Sequence, residues 1–155
     1  MYVVMVAALM LVVPLIFVAG QLLFNQHGML TSVTIIPIIA KWYVFWAVGV
    51  RLGLAGLRQI FQPRYTAETI LGINSEDSLL LVRELGIANS ALGSVGLATL
   101  LAPSWLLPAA LAGAILYGLA GINHVFHGPR NTLQNVAMAS DLFACLVLAV
   151  CCLAA

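Results

Sequence analysis

Arg51, Arg58, Arg83, Glu84, His124, His127 and Asp141 stand inside, or at the ends of, long apolar runs of this sequence. A charged group at such a position costs roughly 2.5–3.5 kcal/mol on membrane-insertion scales, so these groups must face one another or a polar guest. Three of them are arginines and two are carboxylates. That surplus of positive charge favours an anionic guest: a lipid phosphate, a carboxylate, or a quinone oxygen that needs donors. Arg51 and Arg58 are seven residues apart and share a helix face. Gln134, Met138 and Asp141 follow an i, i+4, i+7 stripe. Asn123 pairs with His127, and Asn131 with Asn135, at four-residue spacing. The expected partner of Arg51 is Asp141 or Glu84. Arg83 is left with the remaining carboxylate or with headgroups. Neighbours on a helix point about 100° apart, so Arg83 and Glu84 are not an internal pair. Glu84 is expected to face the bundle, with Arg83 turned to another neighbour or to the headgroups.

His124-x-x-His127 places two imidazoles near one face, where with Glu84 or Asp141 they can hold zinc, iron or haem. Against that, the pair falls in the last turn of a helix, where histidine suits the dipole and the interface. The spacing lacks the further ligands a metal site requires, so these two are weak metal candidates and no cofactor is specified. There is no G-x-S-x-G elbow and no phosphate loop. Cys145, Cys151 and Cys152 form no C-x-x-C. The vicinal pair could serve redox chemistry, but small apolar helix residues are the preferred reading.

The elements that must position these groups are membrane helices. Of 155 residues, 63% are hydrophobic and only 7% charged, with a mean hydropathy of +1.11. A soluble domain carries about a quarter charged residues. The reading is one all-α membrane domain, a polytopic bundle of five transmembrane helices over about 2–24, 36–61, 76–101, 105–127 and 132–154. The first run lacks a basic flank and exceeds a signal-peptide core, so it reads as a span bent at Pro14. Lys41, Trp42, Tyr43 and Trp46 read as interface anchors. Pro63 stops the second span, and a short helix on the membrane is expected between Tyr65 and Ile73. Asn74 or Ser75 caps the third span; Asn131 or Thr132 caps the fifth.

Counting sides places Arg58, Arg64 and Arg130 with the N-terminus and leaves Lys41 on the other side. The positive-inside rule then puts the N-terminus in the cytoplasm and the C-terminus outside, in a bacterial inner membrane. The same count places Glu84, Arg51 and Asp141 about eight to ten residues from that side, roughly 12 Å deep at 1.5 Å per residue. His124, His127, Asn123 and Asn135 lie at the same end. Polar groups from four helices thus fall in one half of the membrane. Gly49-x-x-x-Gly53 and further small residues in three spans suit close packing, within one bundle rather than between copies.

The segments "WAVGVRLGLAGLRQIFQPRYTAETILGI", "LVRELGIANSALGSVGL", "GLAGINHV" and "NVAMASDLF" resemble a family of small bacterial integral membrane proteins known only as a domain of unknown function. The likeness covers about residues 40–150 and implies a compact helical membrane protein. The chain is more loosely similar to the DoxX-like proteins, four-helix membrane proteins of which some are linked to quinone or thiol redox systems. Its extra span and the lack of a DoxX motif mean that no functional residue carries over.

Three functions follow as expectations. The first is a membrane binding or accessory protein whose polar cluster holds a lipid, quinone or other anionic amphiphile, alone or as a subunit of a larger assembly. The second is a proton-coupled carrier with Glu84 and Asp141 titrating beside Arg51. The third is a quinone- or metal-linked oxidoreductase using His124 and His127. Lipids are the expected partners, with a membrane protein or a second copy next. A net charge of +1 offers no footprint for nucleic acid.

Overall fold

The computed structural model describes residues 2–24, 32–126 and 130–153, and every regular element among them is helical. The elements are α1 (Tyr2–Phe24), α2 (Ile35–Phe61), the short α3 (Tyr65–Leu71), α4 (Glu76–Ala98), α5 (Pro103–Phe126) and α6 (Thr132–Leu153). Helices α1, α2, α5 and α6, 22 to 27 residues long, have the length and composition to cross a membrane. This makes the chain a helical membrane bundle. The sequence reading counted five spans. α4 matches the others with 23 residues, but its first half carries Glu76, Asp77, Arg83 and Glu84, which sets it apart in composition.

Glycine holds α4 against α2. The buried line of α4 is Val82, Gly86, Asn89, Gly93 and Gly96. It meets Gly56, Gly53 and Gly49 of α2 in antiparallel order. A Cβ on Gly96 would lie 2.7 Å from the Gly49 Cα, and one on Gly93 only 2.6 Å from the Gly53 nitrogen. The two backbones therefore touch directly, and the glycine spacing of α2 is used within one chain.

The short α3 is wound in wider π turns throughout, and two stretches inside the long helices depart from regular α-helix in the same way, at Ala8–Val12 and Val44–Arg51. Pro14 explains the first. It has no N–H to give the carbonyl four residues back, which is that of Met10. The Tyr43 hydroxyl donates to this carbonyl instead, at 2.5 Å. In the second stretch, the Tyr117 hydroxyl donates to the Ala47 carbonyl, also at 2.5 Å. Tyr43 is thus a core residue, 5% exposed, and not the interface anchor the sequence suggested. The long-range bond to Met10 draws it inward. Trp42 does sit in an aromatic group with Phe17, Phe45 and Trp46, and its Nε1 donates to Gln21 at 2.6 Å.

The core joins Met10, Tyr43, Val44, Val48, Ala110, Tyr117, Ala144 and Leu148. The buried line of α6 is Ala137, Asp141, Ala144, Leu148 and Cys151; of the expected stripe of Gln134, Met138 and Asp141, Asp141 is buried and the other two are half-buried. Leu15, Ile16, Leu119 and Leu146 are exposed on the outside of α1, α5 and α6, as lipid contact requires. Asn131 and Gln134 cap α6 reciprocally: each side-chain oxygen accepts the other's backbone N–H, at 2.8 and 2.9 Å. Ser75 occupies the N-cap of α4 without a side-chain bond; its carbonyl instead accepts the Ser78 hydroxyl at 2.6 Å.

The glycine contact yields a paired prediction. A Cβ on Gly53 meets nothing within 4 Å. Gly53→Ala is therefore neutral or stabilising by up to about 1 kcal/mol. Gly96→Ala meets backbone, which cannot step aside, and costs at least about 1–3 kcal/mol. Unfolding of the two variants in detergent measures the difference.

Candidate functional site

One arginine ties four helices together. Arg51, near the middle of α2, reaches Asp141 of α6 through a 2.7 Å bond from Nη2 to Oδ1. The same nitrogen donates to Ser140 Oγ at 2.9 Å, and Nη1 reaches Met10 Sδ of α1 at 3.1 Å. Tyr117 of α5 lies under the guanidinium, 4.7 Å from the ring centroid. Both partners of the ion pair have side chains only 10% exposed. Of the two carboxylates available to Arg51, the fold selects Asp141.

Beside this pair lies a cavity of about 240 Å³ to which all six helices contribute. It sits at the end of the bundle where α1, α4 and α6 begin. Its polar wall includes Tyr2, Arg58, Gln59, Thr66, Asn89 and His124, together with Arg51 and Asp141; the rest is mostly aliphatic. Gln59 and Asn89 satisfy each other across the α2–α4 contact, with Asn89 Nδ2 donating at 2.9 Å. Arg58 differs. Its guanidinium stacks 3.5 Å from the Tyr65 ring centroid, and its Nε is buried with no hydrogen-bond partner among the described residues.

Helix α3 closes one side. Its Thr66 and Ala67 are buried, so the short helix expected on the membrane surface packs into the bundle. Gly72 ends it in the left-handed region at φ 72°, which glycine adopts without a steric penalty. The carbonyls of Ile70 and Leu71 accept the side-chain amides of Asn131 and Gln134, at 3.1 and 3.0 Å. The cap of α6 thereby anchors the end of α3. On the outer side Arg64 bonds Glu76 and, at 3.1 Å, Glu68. The bond to Glu76, followed by that to Glu68, raises the Arg64 pKa above its ordinary value. These groups are exposed, so the latch is worth little in water.

Arg51, Arg58, His124 and Asp141, singled out from sequence, thus share one cavity. Four others do not line it. Arg83, Glu84, Asn123 and Asn135 are exposed. Glu84 does not face the bundle as expected, because the glycine line fixes the rotation of α4 and turns Glu84 outward. Asn135 instead accepts a bond from Arg130 Nε at 3.0 Å. Arg130 also caps α5, donating to the carbonyls of His124 and Val125 at 2.7 and 3.0 Å. His127, the second imidazole of the suggested metal pair, lies outside the described residues. Among those described, no three His, Cys, Asp or Glu side chains group closely enough to share a metal ion.

Sequence reasoning missed Tyr2, Gln59, Tyr65, Thr66, Asn89 and Tyr117. Asn89 was findable, since it falls in register with Gly86, Gly93 and Gly96. Tyr117 likewise lies on the small-residue face of α5, with Gly113, Ala114 and Gly121. Tyr65 and Thr66 had no such signal, because only the fold of α3 turns them inward. No family model, curated protein or solved structure matches the chain, so the site stands on its own geometry.

Removing one member of a buried ion pair costs about 3–5 kcal/mol, because the other charge is left unpaired. Arg51→Met or Asp141→Leu alone is expected to destabilise by that amount. The double variant costs less than either single change. Thermal unfolding of the three proteins in detergent tests this.

Proposed function

We propose that this protein is an integral membrane binding protein whose cavity holds an anionic amphipathic molecule. The observation that carries the reading is Arg58. Arg51 has its carboxylate in Asp141, whereas Arg58 lines the same cavity with a buried Nε that has no hydrogen-bond partner among the described residues. A buried donor left unpaired costs about 1–3 kcal/mol, more when charged, and a guest's acceptor oxygen would give the guanidinium, through its more accessible terminal nitrogens, the charge-assisted bond it lacks among the described residues. Tyr65 holds the guanidinium plane in place for that guest. The aliphatic wall, with Leu85, Leu116 and Ile70, suits an apolar tail. At about 240 Å³ the space suits a headgroup and the start of a chain, below the roughly 300–1,000 Å³ of most small-molecule sites.

Binding has more support than carriage. A carrier needs a polar route to the far side, and beyond Met10 the centre of the bundle is filled by Val44, Val48, Ala110 and Leu148. An oxidoreductase reading rests on His124 alone among the described residues.

In this proposal α4 is a fifth span. It packs along α2 from Gly56 to Gly49, and its outward residues Leu80, Leu81, Ile87 and Leu97 are apolar. The arginines at the cavity end favour a cytoplasmic N-terminus and an outside C-terminus in a bacterial inner membrane.

Dodecanoate and dodecanol, added to the protein in non-ionic detergent, separate the readings. Dodecanoate is expected to raise the unfolding temperature and dodecanol is not. Arg58→Gln weakens dodecanoate binding about 10- to 100-fold, as loss of a charge-assisted bond of about 1.5–3 kcal/mol implies. Equal responses to both compounds, or an undiminished response in Arg58→Gln, would rule the proposal out. Reporter fusions after Asn74 and after Leu101 test the fifth span and should report opposite sides.

A further inference from the structure

Arg83 and Glu84 have no role in the cavity. Both are exposed, and among the described residues neither takes part in an ion pair. They follow the start of α4 at Glu76 by seven and eight residues, or roughly 10–12 Å along the helix. Leu80, Leu81 and Ile87 flank them, all exposed. If α4 crosses the membrane, as proposed above, this is a charged spot on a lipid-facing wall. Leaving an ionised side chain against hydrocarbon there is unfavourable, so these two call for a partner.

The rest of the outward face is built for close approach. Beyond Glu84 it carries Ala88, Ala91 and Ser94, all exposed and small. The Ser94 hydroxyl donates to the Ser90 carbonyl at 2.9 Å, so it needs no outside partner. The glycine line that binds α2 is on the opposite side of the helix.

We propose that this face of α4 pairs with α4 of a second copy, in a two-fold dimer held by reciprocal Arg83–Glu84 ion pairs. The charge pattern selects the partner. Copies inserted with one topology lie parallel, and a two-fold axis along the membrane normal brings residues of equal height together. Arg83 and Glu84 differ in height by about 1.5 Å and in direction by about 100°, so they flank a seam between the helices. Across that seam each meets the opposite charge of the other copy, twice. The face is complementary to itself, and small residues let the backbones close around the pairs.

The test uses two differently tagged copies of the full chain, co-expressed and extracted in mild detergent. Wild type captures wild type. Glu84→Arg fails to capture Glu84→Arg, and Arg83→Glu fails to capture Arg83→Glu, each with at least about a tenfold loss of captured partner. Glu84→Arg captures Arg83→Glu, because the charges match again, and that mixed pair also proves that both variants fold. Self-capture by either single variant at the wild-type level overturns the dimer. So does a mixed pair that fails to form, or a wild type found only as monomer, which would leave the charges to lipid headgroups or another protein. Because the dimer rests on α4 crossing the membrane, Asn74→Cys and Leu101→Cys are labelled with an impermeant thiol reagent after Cys145, Cys151 and Cys152 are replaced by serine. Labelling from one side only overturns the fifth span and the dimer together; labelling from opposite sides without pairing overturns the dimer alone.

Discussion

A guanidinium inside an apolar bundle has to be surrounded by groups that replace water, and most of this structure follows from that need at Arg51. Asp141 supplies the opposite charge, Ser140 an oxygen, Met10 a sulfur and Tyr117 a ring face. These come from three different helices, so meeting the requirement fixes α1, α5 and α6 around α2. The pair need not be a large source of net stability, since desolvating two charges offsets much of their attraction. Its effect is on arrangement. Any rotation of α2 or α6 that separates the partners leaves an uncompensated buried charge.

Backbone groups impose a second constraint, solved by tyrosine. Pro14 deprives the Met10 carbonyl of its helical donor, and Tyr43 supplies one from α2. Tyr117 does the same for Ala47 in the widened part of α2. Each bond crosses between helices, so a local irregularity in one becomes a tertiary contact with another. Met10 joins the two constraints, since its carbonyl takes Tyr43 and its sulfur takes Arg51. Wide helical turns of this kind are often found beside functional sites, and here the second one ends at Arg51.

The cavity exists because the bundle is not packed alike at its two ends. Glycine brings α2 and α4 into backbone contact, and the core beyond Met10 is filled. At the other end the glycine contact continues through Gly56 and Gly86, and the cavity lies between that helix pair and α1, α5 and α6, lined by the longer polar side chains of Tyr2, Arg58, Gln59 and His124. There α3 folds over the gap, tied down by the amides that cap α6. One pair of residues, Asn131 and Gln134, thus starts a helix and anchors the wall of the site. The outward face of α4 answers a different demand, since its charges turn away from everything that lines the cavity.

The sequence by itself determined the helical class, the helix limits to within a few residues, and the end of the bundle at which the polar groups gather. Composition and apolar length decide the first two, and counting sides decides the third; all are properties of position along the chain. Arg51, Arg58, His124 and Asp141 were legible for that reason. Rotation about each helix axis was not. Whether Glu84 faces the bundle depends on which face of α4 meets α2, and only backbone contact between glycines fixes that. Tyr43 could be read as an anchor because the bond that buries it spans 33 residues. The tertiary structure decided which carboxylate Arg51 takes, that Arg58 is left with a buried unpartnered nitrogen, and that α3 closes a cavity. These are contacts between distant segments, and residue spacing within one helix carries no information about them.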